Sequence, residues 1–281
     1  MSDATDGVML NRYDSARAAG WMKWFHITET SAQPVSDLMV ERAKIGPGAR
    51  VVDVATGLGE PALTAAKAVG PTGHVLATDL SEDMMAFAAR RAEENGLTNI
   101  EFKVMNANEP DLATDAYDAV LCRWGLMFLE RLDVTLGAIH ESLKPGGRFV
   151  AVVWGHPDGA PTNSLADRVL RETLGLEPPE EGAMSPFALK DHDALMQHAR
   201  QAGFADVTGE EVEVLVEFRS TQEFSDYRRD RASSIKTQLA ALSPEEQDAA
   251  WGHVARAAEP FREPDGRIRM RNGAFCMVAV R

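Results

Sequence analysis

Short apolar runs alternate with longer amphipathic stretches from about residue 49 to residue 155. Runs rich in β-branched residues predict strands, and apolar residues recurring every three or four positions predict helices. Strands that alternate with helices in this way are typical of a parallel sheet joined by crossover helices. The pattern predicts five such strands, at residues 50–54, 74–78, 100–105, 117–122 and 148–154.

Turn and capping residues mark the helices between these strands. Pro61 fits a first helical position, and Ser81 is a candidate N-cap with two acidic residues after it. Residues 129–143 carry helical periodicity. The glycine-containing segments ENGL (94–97) and KPGG (144–147) predict turns that lead directly into the next strand. Continuous apolar runs such as VAVV predict strands that are buried on both faces.

Beyond residue 155 the alternation loosens into Pro- and Gly-rich stretches on either side of an amphipathic segment. Such stretches interrupt a regular α/β pattern and predict an inserted helical cap. The remaining sequence predicts helices at 163–174 and 190–202, a strand at 205–218, helices across 221–259 and a last strand at 274–280.

The composition fits one large α/β domain with a smaller appendage. The chain has 281 residues, of which 44% are hydrophobic and 26% are charged, as is typical of globular proteins. We therefore divide it into an N-terminal helical lid (1–40), a core (41–155), and a cap insertion that precedes the C-terminal part of the core sheet (156–281).

Charge and cysteine usage exclude several classes of partner. The 29 basic and 43 acidic residues give a formal net charge of -14, which disfavours a nucleic-acid partner. Cys122 and Cys276 lie far apart and form no CxxC pair, so we expect no disulfide framework, no metal site and a cytoplasmic location. No apolar run reaches about 18 residues, so we expect no membrane span.

The segment VVDVATGLGEPAL (51–63) carries the clearest chemical signal. Gly57, Gly59 and Ala62 fit the pattern G-x-G-x-x-A between a strand and a helix, which lets backbone approach a nucleotide closely. A tight turn without a ligand is the alternative. Asp53 and Glu60 flank the loop, and residues 51–66 contain no Lys or Arg. This charge opposes a dinucleotide pyrophosphate and favours a ligand with an ammonium and a sulfonium group.

These residues resemble the class I S-adenosylmethionine-dependent methyltransferases, whose first motif is an acid followed by three alternating glycines. The motif here runs from Asp53 to Gly59, with Ala55 in place of the first glycine, as in variants that resemble the ubiquinone and menaquinone biosynthesis methyltransferases. LKPGGRF before the fifth strand extends the resemblance over residues 40–155. It implies a Rossmann-like, seven-stranded, mostly parallel sheet with an antiparallel last strand, helices on both faces and S-adenosylmethionine as cofactor.

The resemblance also implies which residues hold the cofactor. An acid at Asp79 can accept hydrogen bonds from both ribose hydroxyls, although it can also cap the following helix. Asn106 can accept from the adenine amino group or simply form a turn. The predicted cofactor-binding residues are Tyr13, Trp24, Asp53, Ala55, Thr56, Gly57, Gly59, Asp79, Leu80, Met84, Asn106, Ala107, Cys122 and Arg123.

Aromatic and basic side chains outside the core are candidates for the lid and acceptor site. Tyr13, Trp21, Trp24 and Phe25 can close over a sulfonium or pack as the core of an amphipathic helix. His26 and His156 are candidate general bases, with an ordinary surface role as the alternative. The arginines of DYRRDR (226–231) can meet an acceptor carboxylate or phosphate, or form a solvated face.

Together these features predict in-line methyl transfer to a small-molecule acceptor by a monomer or homodimer, with S-adenosylhomocysteine as product. An oxidoreductase that uses an NAD-type dinucleotide is the first alternative, because it would use the same glycines. A cofactor-bound interaction protein without turnover is the second. One scaffold serves O, N, C and S acceptors, so the sequence does not specify the methylated atom.

Overall fold

A computed structural model describes residues 15–177, 184–231 and 235–281 of the chain. Its helices are α1 (Ser15–Lys23), α2 (Phe25–Arg42), α3 (Ala62–Val69), α4 (Glu82–Glu94), α5 (Leu132–Ser142), α6 (Pro161–Leu174), α7 (His192–Gln201), α8 (Thr221–Arg231), α9 (Lys236–Ala240) and α10 (Pro244–Ala257). Its strands are β1 (Arg50–Val54), β2 (His74–Asp79), β3 (Ile100–Val104), β4 (Tyr117–Arg123), β5 (Leu143–Trp154), β6 (Ala205–Phe218) and β7 (Ile268–Val280).

The seven strands form one sheet in the order β3-β2-β1-β4-β5-β7-β6. Strands β1 to β5 pair in parallel, and β7 pairs antiparallel with both β5 and β6. The predicted mostly parallel sheet with an antiparallel last strand is therefore confirmed. Chain order reverses between β1 and β4, so the loops after these two strands diverge and leave a crevice at the carboxyl edge.

Alternation along each strand buries both faces of the sheet. On one face, side chains such as Val51 and Val150 pack against α2, α3, α6, α8 and α10. On the other face, their neighbours Val52 and Phe149 pack against α5 and α7. Helices therefore cover both faces, as the unbroken apolar runs predict.

Two strand boundaries differ from the sequence prediction by more than one residue. Strand β5 begins at Leu143, and KPGG bulges out of the ladder because the register shifts between the pairs Tyr117–Leu143 and Ala119–Arg148. Strand β7 begins at Ile268, six residues before the predicted start at 274. Its first half carries arginines that pair with glutamates of β6. These charged side chains interrupt the apolar run from which the sequence analysis predicted the strand.

The cap consists of α6, α8 and α10, and α10 packs against both other helices. The Asn272 side chain of β7 fastens the cap to the sheet. Its Oδ1 accepts the backbone N–H of Thr162 in α6 at 2.9 Å, and its Nδ2 donates to Thr162 Oγ1 at 3.0 Å. The same Nδ2 donates to the carbonyls of Val214 and Met270 at 3.1 and 2.9 Å. Because Asn272 is fully buried, water cannot replace these bonds.

Replacing Asn272 with alanine should lower the free energy of unfolding by about 2–4 kcal/mol, because it leaves several buried polar groups without partners. Denaturant unfolding of both proteins measures the difference. Asn95→Ala is the matched control: the side chain of this exposed asparagine at the end of α4 donates to the Arg91 carbonyl, so we expect a change within about 0.5 kcal/mol. Equal effects of the two substitutions would contradict this role of Asn272.

Candidate functional site

Two adjoining cavities open at the carboxyl edge of the sheet. The smaller, which we call the loop cavity, has a volume of about 160 Å³ and lies among the loops that follow β1, β2, β3 and β4. The larger, the cap cavity, has a volume of about 1960 Å³ and lies between the sheet and the cap. Trp21, Thr28, Trp124 and Phe128 line both cavities, so these side chains form the boundary between them.

The glycine-rich loop after β1 forms one wall of the loop cavity. Three of its residues have a left-handed backbone, with φ of +59° at Ala55, +57° at Gly57 and +103° at Gly59. A Cβ on Gly57 would meet no protein atom within 4 Å, so this position leaves open space beside the backbone. A Cβ on Gly59 would lie 2.4 Å from Leu63 Cδ1, so this glycine is needed for helix packing.

The Asp79 carboxylate joins the loops that follow β1 and β2. It accepts the Gly57 N–H at 2.8 Å and the Ser81 N–H at 3.0 Å, and it lines the loop cavity. Burial raises the pKa of its carboxyl group. Each carboxylate oxygen has a second lone pair, so the group can still accept hydrogen bonds from ligand hydroxyls. Ser81 itself is the N-cap of α4, as the sequence predicts.

Asp53 lies beneath the loop, and it does not line the loop cavity. Its carboxylate is fully buried, and Oδ2 accepts the Ala62 N–H at the start of α3 at 3.0 Å. Burial raises the pKa of Asp53 to about 7. The side chain therefore supports the loop from below and is only partly ionised at neutral pH.

Glu60 is the acid of this loop that does reach the cavity wall. Its Oε2 accepts the Thr64 hydroxyl at 2.7 Å, and its Oε1 lies 3.8 Å from Arg91 Nη2. Burial raises the pKa of this carboxyl group as well.

The Arg123 side chain, at the end of β4, faces the loop cavity and holds α2 in place. Its guanidinium donates to Ser36 Oγ at 2.8 Å, to the Ala32 carbonyl at 3.3 Å and to Glu29 Oε1 at 3.3 Å. Both partners of the ion pair are mostly buried, with side-chain exposures of 7% for Arg123 and 11% for Glu29. Glu29 lines the cavity too, although no sequence signal singles it out.

Trp124 stands at the boundary of the two cavities. Its backbone is left-handed, with φ of +56°, and its ring stacks on that of Trp154 with centroids 4.5 Å apart. Gly125 follows, where a Cβ would lie 2.7 Å from Ala55 Cβ and 2.8 Å from Cys122 Sγ. The loops after β1 and β4 therefore touch at this point.

The opposite wall of the loop cavity is largely apolar. Leu80, Met84 and Met105 line it together with Asn106 and Ala107. The Asn106 side-chain carbonyl accepts the Asn108 N–H at 3.0 Å, so this asparagine forms a turn and borders the cavity at once.

Nine of the predicted cofactor-binding residues line the loop cavity: Ala55, Thr56, Gly57, Asp79, Leu80, Met84, Asn106, Ala107 and Arg123. Their contact with a cofactor stays a prediction. Glu29 and Trp124 also line this cavity without having been predicted, and Glu60 was expected only as a charge that flanks the loop. The cause is that burial and backbone conformation, which bring these residues to the wall, depend on elements far apart in the chain.

Several other predicted residues lie elsewhere. Trp24 is buried in the core, where its Nε1 donates to Asp230 Oδ2 at 2.7 Å, and Trp21 lines the cavities instead. Cys122 is buried behind the loops, and burial raises the pKa of its thiol to about 12. Tyr13 lies outside the described residues.

Neither candidate general base lines a cavity. His26 is exposed and stacks on Trp24, because the helical period that turns Ile27 inward turns His26 to solvent. His156 is also exposed, and its Nδ1 lies 3.3 Å from Asp158 Oδ2.

Comparison with known proteins assigns the chain to a family. A family model described as a methyltransferase domain matches residues 51–147. The ubiquinone/menaquinone biosynthesis C-methyltransferase of Methylobacterium nodulans is 33% identical over 172 residues, which cover 57% of this chain and 67% of that protein. The chain belongs to the class I S-adenosylmethionine-dependent methyltransferases. The resemblance stated from the sequence motifs is thereby confirmed.

Other relatives match a smaller part of the sequence or are less identical to it. An uncharacterized protein of Mycobacterium tuberculosis is 34% identical over 128 residues, which cover 46% of this chain and 45% of that protein. The chain thus spans about half the length of the first curated relatives it matches. The phosphoethanolamine N-methyltransferase 2 of Haemonchus contortus has the same fold, with a TM-score of 0.54, 21% identity, and coverage of 88% of this chain and 52% of that one.

Among residues 15–177, 184–231 and 235–281, no group of three or more His, Cys, Asp or Glu side chains is placed to hold a metal ion. Within the same ranges, no helix is long and apolar enough to cross a bilayer.

Replacing Ala55 with glycine should stabilise the protein. A left-handed backbone costs alanine about 1–2 kcal/mol, and the extra freedom of glycine in the unfolded chain offsets about 0.5–1 kcal/mol of this. We expect the free energy of unfolding to rise by about 0.5–1 kcal/mol in denaturant titrations. Ala86→Gly, on the exposed face of α4, is the control and should lower it by about 0.5–1 kcal/mol. A lower free energy of unfolding for both variants would show that the left-handed backbone at Ala55 does not destabilise the protein.

Replacing Asp53 with asparagine should change how stability depends on pH. The pKa of Asp53 rises from 3.8 to about 7 on folding, so the folded state binds an extra proton and this group's contribution to stability falls as pH rises through that window. The free energy of unfolding of Asp53→Asn relative to wild type should therefore increase by about 1–3 kcal/mol from about pH 5 to about pH 8.

Urea unfolding at several pH values measures this difference. Asp111→Asn is the control, because Lys103 lowers the pKa of the exposed Asp111 carboxyl and its removal gives no such increase. A pH-independent difference for Asp53→Asn would show that the buried carboxyl does not titrate in this window.

Proposed function

We propose that the protein transfers a methyl group from S-adenosylmethionine to a small-molecule acceptor in a single in-line displacement. The pairing of Gly57 with Asp79 carries this proposal, because it places open backbone and a fixed carboxylate side by side on the wall of the loop cavity. Family membership and the ligand of a structural neighbour, solved with S-adenosylhomocysteine, support it.

The loop cavity suits the parts of this cofactor. Asp79 would accept hydrogen bonds from the ribose hydroxyls, and Gly57 leaves room for the ligand beside the backbone. Leu80, Met84 and Met105 offer an apolar surface to the adenine, with the Asn106–Ala107 turn at its edge. When bound, S-adenosylmethionine supplies a methyl group that its positively charged sulfur already activates.

The protein's own contribution is then to align the two reactants and exclude water. The boundary residues Trp21, Thr28, Trp124 and Phe128 separate the loop cavity from the cap cavity, where we place the acceptor. Among the described residues of either wall there is no histidine, so the proposal assigns no role to His26 or His156. The alternative of an NAD-type oxidoreductase is not favoured, because family membership points to a different cofactor.

The remaining expectations are part of the same proposal. Both described cysteines are buried free thiols, which suits the cytoplasm. A small-molecule acceptor fits a cavity lined by helices of the same chain, and the net charge of -14 disfavours nucleic acid. We retain a monomer or homodimer as the expected assembly.

Calorimetric titration with S-adenosylhomocysteine and with NADH tests the cofactor. We expect micromolar or tighter binding of the first and none of the second. Gly57→Ala should weaken the binding of S-adenosylhomocysteine by at least about ten-fold, because the added methyl enters the open space beside the loop.

Gly70→Ala is the matched control. Gly70 also has a left-handed backbone, with φ of +64°, and a Cβ there meets no atom within 4 Å, but it lies at the end of α3 and outside the cavity wall. Both variants place alanine at a positive φ where the new Cβ meets no protein atom, and only the first should lose affinity. NADH binding without S-adenosylhomocysteine binding, or equal affinities of the two variants, would refute the proposed cofactor site.

A further inference from the structure

The cap cavity has a mostly apolar wall that also contains basic side chains, namely Arg168, Arg171, Lys190, Arg228 and Arg231. Leu165, Val214, Val216, Ile235 and Trp251 supply apolar surface from the cap and from β6. Arg228 of α8 also lines the cavity. The neighbouring Arg229 instead turns to solvent, where it pairs with Asp248 at 2.7 Å. Of the adjacent arginines in DYRRDR, the helix therefore directs one inward and one outward.

Among the described residues no carboxylate forms a salt bridge with Arg228, although the charge of Asp167 acts to raise the pKa of its guanidinium. Its Nη2 donates to the Asn163 carbonyl at 3.2 Å, and its Nη1 lies 3.5 Å from Asn163 Oδ1. Its Nε and the Asn163 Nδ2 are both buried and have no hydrogen-bond partner among the described residues. By contrast, Arg171 in the same wall is neutralised by Asp167 at 2.8 Å.

The charge on Arg228 persists despite its surroundings. Burial lowers the pKa of its guanidinium to about 10, which keeps the group protonated at neutral pH. A desolvated cation with unused N–H donors is unfavourable unless an anion meets it. Arg228 and Asn163 line the same cavity, so an anion bound there lies beside both residues.

We propose that the methyl acceptor is an apolar molecule with one carboxylate, and that Arg228 and Asn163 bind this carboxylate. The inference rests on the proposed function, since it concerns the acceptor of the same reaction. One guanidinium and one amide donor match a single negative charge. Asp167 already offsets part of the positive charge near Arg228, so we favour a singly charged carboxylate over a doubly charged phosphate.

The position of Arg228 assigns the carboxylate an anchoring role. Arg228 lines the cap cavity but not the loop cavity, whereas Trp124 lines both. An acceptor held by its carboxylate at Arg228 therefore presents another part of its structure to the boundary at Trp124. The carboxylate orients the acceptor and is not the group that receives the methyl.

Binding of two matched probes tests this inference without requiring turnover. Biphenyl-4-carboxylate and biphenyl-4-carboxamide have the same shape and differ in charge. Calorimetry on the protein, with and without saturating S-adenosylhomocysteine, should show that the carboxylate binds at least about ten-fold more tightly than the amide. Arg228→Gln should abolish this preference. Arg229→Gln, on the same helix, should preserve it.

A second variant keeps the test decisive if Arg228→Gln fails to fold. Asn163→Asp places a carboxylate beside Arg228 and so competes with the ligand, and we expect it to abolish the preference without lowering the unfolding temperature. The inference fails if wild type binds both probes equally or binds neither, or if Arg228→Gln retains the preference. Binding of S-adenosylhomocysteine without carboxylate preference overturns this inference alone, and a protein that binds no S-adenosylhomocysteine overturns the proposed function.

Discussion

The arrangement of the site depends on one buried guanidinium. Arg123 lies at the carboxyl end of β4 and meets Glu29 of α2, and its charge also lowers the pKa values of Asp53 and Glu60 against the larger opposing effect of burial. Several carboxyl groups without a nearby cation would be costly to bury together. Because Arg123 lies among them, the acidic loop after β1 can pack beneath α2, at the point where chain order reverses between β1 and β4.

The same constraint determines the boundary between the two cavities, where the proposed cofactor and acceptor would meet. Arg123 holds α2 against β4, and the loops after β1 and β4 touch at Gly125. Trp124 lies between these two residues in the chain and is therefore held at the boundary of the two cavities. Its left-handed backbone shows that surrounding contacts determine its conformation. A methyltransferase needs such a boundary, because donor and acceptor must share one line while water stays outside.

The charges around the glycine-rich loop differ from those of its own sequence. Residues 51–66 contain no basic residue, yet the fold brings Arg91 and Arg123 to the acids of this loop from α4 and β4. Asp53, moreover, is buried and only partly ionised at neutral pH. The preference for a cationic nucleoside over a diphosphate therefore cannot be argued from the loop's own charges, and the case for the cofactor relies on Asp79, Gly57 and the family.

The sequence by itself determined the sheet, most strand boundaries and the position of the glycine loop, because hydrophobic periodicity and turn residues are local properties. It also determined that Gly57 and Asp79 belong to one edge, since parallel strands end together. Only the tertiary structure decided which side chains face the cavities. His26 and Trp24 turn away, Trp21 and Glu29 turn inward, and Arg228 differs from Arg229, because each outcome depends on packing partners that lie far away in the chain.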